Sequence, residues 1–293
     1  MTATTTPVVL DVRPLSGTIG AELRGVDVKQ ELTPEAVGAI RQALLDHKVV
    51  FLPDQHLDAA EHVAFARRFG ELTPAHPVIP GIKGHPEVFE INYGSVEQYK
   101  SAGLTERTND LTWHTDVTFM EQPPLGSILN AVVMPPSGGD TMFADMHAAY
   151  EGLSETMRGF VDTLTAVHDG KRQFGAILEK RKAGGNWEGE QIIDLEPVEH
   201  PVVRTHPETG RRSLFVNPGF TQRIKGLSAR ESRTLLDLLY AHSTQAEYTV
   251  RYHWRTGDLG FWDNRTTMHA VVRDFGSQPR VIQRVTIHGD KPF

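Results

Sequence analysis

Cysteine is absent from the 293-residue chain. With it go disulfide frameworks, Cys-ligated zinc, iron–sulfur clusters and thiol nucleophiles. Long apolar runs are absent too, since no stretch approaches the ~18 residues that a membrane-crossing helix needs. Positive charge is in deficit: the formal net charge is −7, and Lys and Arg are scattered rather than grouped. Nucleic-acid phosphates call for a basic face, so the charge pattern argues against nucleic acid and no nucleic-acid partner is expected. A single buried arginine could still meet a small anion. The Thr-rich start, Met1 to Pro7, carries neither the basic nor the apolar region of a secretory signal, so a cytoplasmic location and no membrane partner are expected. What remains is an ordinary globular balance, 39% hydrophobic and 23% charged. Such a chain can bury a sizeable core as one domain without covalent staples.

Strand-length runs of β-branched or aromatic residues recur between Gly, Pro, Asp and Asn. They are Val8–Val12, Val49–Leu52, Val88–Asn92, Ile128–Met134, Thr141–Phe143, Val202–Thr205, Ser213–Val216, Tyr248–Trp254, Leu259–Trp262 and Val281–His288. His206-Pro-Glu-Thr-Gly210 is a turn that makes a hairpin of its two flanking strands. Helix starts are fewer. Thr33-Pro34 opens a helix to about Asp46, with Pro at its first position. Asp58 with Glu61 caps a second, ending near Gly70, and Ser228 with Glu231 forms a capping box for a third. A fourth runs from about Met146 to Leu164. Gly170 to Glu199 shows no clear period and reads as an insertion or lid within the single domain. Helices cluster among many strands without βαβ alternation, which predicts a mostly β sandwich or barrel with decorating helices.

With no cysteine and 14 histidines, a His/carboxylate metal site is the first chemistry to seek. The non-haem Fe(II) facial triad takes two His and one carboxylate and leaves the other positions open. His-x-Asp on a strand supplies two of these compactly, because residues i and i+2 share a side. His-x-Asp/Glu occurs five times, at His56-Asp58, His85-Glu87, His114-Asp116, His206-Glu208 and His288-Asp290. Asp58 serves as a cap, His85 and His206 precede Pro in loops, and His288 abuts Gly. His114-Thr-Asp116 differs in sitting within an extended aromatic and β-branched stretch. His269 could be the third ligand or a structural histidine. Arg280 and Arg284, four apart on one strand, would face the same way about 13 Å apart at roughly 3.3 Å per residue. Facing inwards they would need anions to pair with. Facing outwards they would leave Val281, Val285 and Ile287 to the core.

The chain resembles the taurine dioxygenase family, whose clan includes alkylsulfatase and herbicide-cleaving dioxygenases. The likeness runs from Pro14-Leu-Ser-Gly-Thr-Ile-Gly-Ala-Glu-Leu-Arg-Gly-Val-Asp27 to Gly289-Asp-Lys-Pro-Phe293. It is sharpest in Trp113-His-Thr-Asp-Val-Thr-Phe119, Gly138-Gly-Asp-Thr141, His200-Pro-Val-Val-Arg-Thr-His-Pro207 and Trp262-Asp-Asn-Arg265 followed by His269. The resemblance implies a double-stranded β-helix (jelly roll, cupin-like). It implies Fe(II) bound by His114, Asp116 and His269. It further implies 2-oxoglutarate and O2 as cosubstrates, with Arg280 and Thr141 on the distal carboxylate of 2-oxoglutarate. Arg284 would face the anionic group of a small substrate, with His76 and the backbone at Val117 nearby, and Phe174 and Phe220 as apolar wall.

Two departures bear on the substrate. Ile79 stands where relatives acting on taurine carry Tyr, and Asp110 stands where they carry Asn, although Asn109 is adjacent. The resemblance makes taurine the expected substrate, oxidised at the carbon next to sulfur with release of sulfite and an aldehyde. Longer sulfonates or alkyl sulfate esters are the alternative. A homo-oligomer is expected. The competing classes are a non-oxidative cupin-type metal protein and a ligand sensor on the same fold.

Overall fold

Two β-sheets face one another across an aromatic layer, in which Phe143 from one sheet lies 5.6 Å from both Phe51 and Trp262 of the other, ring centre to ring centre. The computed structural model describes residues 10–92, 113–184 and 195–293. Its elements in chain order are β1 (Asp11–Pro14), β2 (Ala21–Arg24), α1 (Pro34–His47), β3 (Val49–Leu52), α2 (Ala59–Ala66), β4 (Phe89–Asn92), β5 (Gly126–Val133), β6 (Thr141–Asp145), α3 (Met146–Gly152), α4 (Glu155–Val161), β7 (Thr165–His168), α5 (Lys171–Gly184), β8 (Val198–Pro201), β9 (Val203–Thr205), β10 (Arg212–Leu214), β11 (Thr221–Ile224), α6 (Ala229–Ser243), β12 (Thr249–Tyr252), β13 (Leu259–Asp263), β14 (Thr267–Val271) and β15 (Val281–Ile287).

The larger sheet has the order β1-β2-β3-β13-β5-β15-β4 and the smaller β12-β6-β14. The non-sequential neighbours are the crossovers of a jelly roll, as expected. Between the sheets lie Phe51, Leu129 and Ile282 from one side and Phe143, Val250 and Tyr252 from the other. The outer face of the larger sheet, including Val50, Leu52, Val285 and Ile287, packs under Ile40 and Leu44 of α1 and Val63 and Phe65 of α2. The outer face of the smaller sheet, with Ala144, Met268 and Ala270, packs against Leu235, Leu236 and Leu239 of α6. Sheets covered on both faces read as continuous apolar runs rather than alternation, and Val49–Leu52 is buried throughout for this reason.

Local sequence accounts for the helix starts. The Thr33 side chain accepts from Ala36 N ahead of Pro34. Asp58/Glu61 and Ser228/Glu231 each form a reciprocal capping box. The turn at His206–Gly210 joins β9 to β10 in an antiparallel hairpin.

Several expectations need correction. α2 ends at Ala66, before Gly70, because the chain tightens there into bonds from Arg68 N to Phe65 O and Phe69 N to Ala66 O. The single helix from Met146 to Leu164 is two, since Ser154 accepts from Met157 N and restarts the helix as a cap. Within the 170–199 segment, α5 and the start of β8 are regular structure, and residues 185–194 lie outside the described residues. The stretch 113–119 is not a continuous strand. His114 forms a lone bridge, and the chain turns from Asp116 onward.

Candidate metal centre

β14 delivers one imidazole to the space between the sheets. His269 lies opposite Phe143 in the register of β14 with β6. Opposed residues of an antiparallel pair share a face, so His269 points inwards with that ring. On its other side the His269 backbone exchanges both hydrogen bonds with His114, at 2.9 and 2.8 Å. The two imidazoles are thus cross-strand neighbours, ring centres 4.2 Å apart. The turn that follows brings Asp116 Oδ1 to 3.8 Å from His114 Nε2 and 4.0 Å from His269 Nε2.

That turn is conformationally costly. Val117 sits at φ 55°, the left-handed region, which costs an L-residue about 1–2 kcal/mol and is rarer still for a β-branched one. Neighbouring bonds hold it there. Thr115 Oγ1 donates to Thr267 O at 2.7 Å, and Asn217 Nδ2 donates to Thr118 Oγ1 at 3.0 Å. The buried His200 donates through Nε2 to Thr118 O at 2.9 Å and Met120 O at 3.0 Å. Ser127 Oγ donates to Asp116 Oδ2 at 2.7 Å.

Burial pulls the two kinds of ligand in useful directions. It lowers the His269 pKa to about 3, and the neighbouring His114 adds to the effect. The imidazole is therefore neutral near pH 7, with a lone pair to give a metal. For Asp116, burial alone would favour the protonated form. Arg284, His269, His114 and the Ser127 hydroxyl together outweigh it and hold the carboxyl below its usual range. One ligand atom from each of His114, Asp116 and His269 lies within 4.8 Å of the others. The two separations to Asp116 Oδ1 fall inside the ~4.2 Å that two bonds of about 2.1 Å can span. Two imidazoles and one anionic oxygen, with nothing else from the chain required, fit Fe(II) with open positions.

Both arginines turn inwards. Arg280 is fully buried and Arg284 nearly so, while Val285 and Ile287 fill the opposite face under the helices. The choice between inward arginines and inward aliphatics was false, because β15 is buried on both sides. Arg284 pairs with Asp116 Oδ1, and its guanidinium carbon lies 5.3 Å from the centre of the Phe89 ring. Arg280 Nε donates to Gly139 O at 3.1 Å. Thr141 Oγ1 accepts from Trp254 Nε1 at 2.9 Å. Indole only donates, so the Thr141 hydroxyl proton is left for an acceptor.

An apolar wall stands beside the ligands. Val78, Val117, Phe119, Leu178, Leu195 and Phe220 form one buried cluster, with Phe174 and Ile177 packed on it. Phe174, Ile177 and Leu178 are the i, i+3, i+4 stripe of α5. His76 is buried against Phe174, ring centres 4.4 Å apart, and its Nδ1 accepts from Val78 N. Among the described side chains Val78, rather than Ile79, packs into this wall. Ile79 is half-buried. Asp110 and Asn109 lie outside the described residues. Ser127, Gly139, Trp254, Phe119 and Leu178 had no assigned role from sequence. Gly139 and Phe119 sat inside quoted motifs, whereas nothing local to Ser127 or Leu178 announced burial beside a ligand.

The profile described as "Taurine catabolism dioxygenase TauD, TfdA family" matches residues 11–286. The chain belongs to this family. It is 42% identical over 287 residues to an alpha-ketoglutarate-dependent sulfate ester dioxygenase of Pseudomonas putida, covering 97% of this chain and 91% of that one. It is 39% identical to an alkylsulfatase of Acinetobacter baylyi, covering 96% and 86% respectively. A solved taurine dioxygenase from Burkholderia xenovorans superposes with a TM-score of 0.80 at 41% identity, covering 97% of this chain and 92% of that one. As a member of the family, the protein is a 2-oxoglutarate-dependent dioxygenase, with Fe(II) as cofactor and 2-oxoglutarate and O2 as cosubstrates.

Proposed function

We propose that the protein oxidises the carbon bearing the sulfur-containing group of an anionic substrate with an apolar chain, an alkyl sulfate ester foremost. The observation that carries this reading is the pairing of one buried cation with an aromatic enclosure. Arg284 is the guanidinium at the metal ligands, and Phe119, Phe174 and Phe220 stand beside them. An alkyl chain gains from such a wall by about 25 cal/mol per Å² removed from water, whereas an ammonium loses solvation there. The identity to a sulfate ester dioxygenase and to an alkylsulfatase supports the same substrate class.

In this reading His114, Asp116 and His269 hold iron, which, with 2-oxoglutarate and O2, supplies the oxidation of a substrate C–H bond coupled to decarboxylation. Arg280 and the Thr141 hydroxyl take the distal carboxylate of 2-oxoglutarate, the guanidinium matching it in bidentate fashion. Arg284 and His76 take the sulfate group, fixing the adjacent carbon against the metal centre. Binding energy gained there is spent on orientation. The wall formed by α5 and the 117–120 turn excludes water from the reacting carbon. One oxygen atom enters the C–H bond and the other ends in succinate with loss of CO2. The hydroxylated ester, a hemiacetal sulfate, expels sulfate and leaves the aldehyde. A sulfonate would expel sulfite instead.

Taurine is the second reading, favoured by the solved taurine dioxygenase that superposes on this chain. Incubating the iron-loaded enzyme separately with octyl sulfate, hexanesulfonate and taurine, and scoring succinate, sulfate and sulfite, separates the two. Sulfate from octyl sulfate at a kcat/KM well above that for taurine is expected. Turnover of taurine alone would overturn the reading.

A further inference from the structure

Behind Asp116 runs a line of buried polar groups that the ligand set does not explain. Asp116 Oδ2 accepts from Ser127 Oγ at 2.7 Å, Ser127 Oγ accepts from Asn264 Nδ2 at 2.8 Å, and Asn264 Oδ1 accepts from Trp262 Nε1 at 3.0 Å. Ser127 is 0% exposed, Asn264 and Trp262 1%, and Asp116 2%. The direction of every bond follows from the far end. An indole N–H can only donate, so the amide of Asn264 must turn its oxygen to Trp262 and its NH2 to Ser127. A hydroxyl that has accepted from that amide has its own proton left, and the carboxylate is where it goes.

We infer that Ser127 and Asn264 are positioning residues that hold Asp116 as a one-oxygen metal ligand. Oδ2 is committed to Ser127 on one side of the carboxylate. Oδ1 is thereby presented to His114 and His269 on the other. The same indole packs against His269, ring centres 4.8 Å apart, so Trp262 steadies two of the three ligands at once. Asn264 is itself fixed by its backbone, whose N–H donates to Leu125 O at 2.9 Å just ahead of β5, two residues before Ser127. Hydrogen bonds to a ligating group from behind commonly set metal affinity by 10–100-fold. The inference concerns retention of the metal, so its test does not depend on which substrate is turned over.

The test is Mn(II) binding to the metal-free full chain, by calorimetry or by loss of the free-ion EPR signal. Ser127→Ala should raise the Mn(II) Kd on the order of 10–100-fold. Asn264→Asp keeps the shape but offers only acceptors, so it draws the Ser127 proton away from Asp116 and should also weaken binding. Because Asn264 acts through Ser127, the double variant should bind Mn(II) no more weakly than the weaker single variant, a non-additivity that independent packing defects would not give. A folded Ser127→Ala protein with the unaltered Kd overturns the inference. Should neither variant fold, a crystal structure of the unmutated protein with Mn(II) decides. Asp116 bound through Oδ1 with Ser127 Oγ still on Oδ2 sustains the inference. Both carboxylate oxygens on the metal, or a broken Ser127 bond, overturns it.

Discussion

Arg284 is paired with Asp116 through Oδ1, the oxygen that also faces His114 and His269. In the proposed reading one atom would therefore serve two cations in turn. Without metal, the guanidinium compensates a carboxylate that is 2% exposed. In the proposed reading a bound metal would take over that compensation, leaving Arg284 to meet the substrate anion. The proposed roles of iron ligand and anion receptor thus meet at a single carboxylate. This gives a physical reason for substrate affinity to depend on metal occupancy.

The first prediction follows from that sharing. Arg284→Met keeps the volume but leaves Asp116 buried and uncompensated in the metal-free protein, a loss of about 3–5 kcal/mol for a broken buried pair. Mn(II) restores a countercharge, so the thermal shift on adding Mn(II) should be larger in the variant than in the unmutated protein. Melting curves with and without Mn(II) check this. Equal shifts would mean that Arg284 does not carry the charge balance of Asp116.

A second concerns 2-oxoglutarate. The Thr141 hydroxyl is held by Trp254 Nε1 at 2.9 Å with its proton still to donate. Hydrogen bonds to a charged group contribute about 1.5–3 kcal/mol, on the order of 10–100-fold in affinity. Thr141→Val should raise the KM for 2-oxoglutarate by about that range while changing kcat little. Arg280→Lys should raise it further, because a single ammonium cannot reproduce the planar fork. An unaltered KM in both variants would remove these residues from the cosubstrate site.

What could be read before folding divides by range. Helix starts were legible because their grammar is local: Thr33-Pro34, Asp58 with Glu61 and Ser228 with Glu231 each carry the donor and the acceptor within four residues. The convergence of the candidate triad was legible because His114 and Asp116 sit two apart in a distinctive motif that the family resemblance joins to His269. β14 was not foreseen, since Thr267–Val271 becomes a strand through its pairing with β6, more than a hundred residues away. The turn at Asp116 was not foreseen either. Val117 has a high β preference and takes a left-handed backbone only because Thr115, Thr118 and Met120 are bonded to distant elements. Ser127 carried no mark at all, for its importance lies in which carboxylate it reaches.

The third prediction is a pH dependence of stability. His62 on α2 is fully buried, donates through Nε2 to Ile128 O at 3.1 Å, and burial lowers its pKa to about 4. In the unfolded chain it titrates near the ordinary value of about 6.5. As pH falls from ~6.5 to ~4 the unfolded state binds the proton first, so stability is full above that window and declines through it, by at most about 1.4 kcal/mol per unit from this group. Buried His168 is shifted the same way, also chiefly by burial, and adds to the decline. His62→Gln keeps a donor for Ile128 O and should give a shallower decline in urea midpoints between pH 7 and pH 4.5. Parallel curves for the two proteins would sink the assignment.

The last prediction tests how Arg280 is aimed. Gly139 holds φ +73°, and its carbonyl accepts from Arg280 Nε at 3.1 Å. Its own N–H donates to Asp274 Oδ1 at 2.8 Å, and Arg251 braces Asp274 and Asp140 together. A methyl group at position 139 would lie 3.1 Å from both Cδ and Nε of Arg280 and 3.3 Å from Phe275. These separations are tighter than ordinary carbon contacts, so the arginine side chain must give by a few tenths of an ångström or the left-handed turn must open. Either change moves the guanidinium plane that, in the proposed reading, the distal carboxylate has to match, while His114, Asp116 and His269 lie on other elements. Gly139→Ala should therefore raise the 2-oxoglutarate KM several-fold and leave the Mn(II) Kd of the metal-free protein within about twofold. A variant that lost Mn(II) affinity in proportion would show that position 139 acts on the whole sandwich and not on the arginine alone.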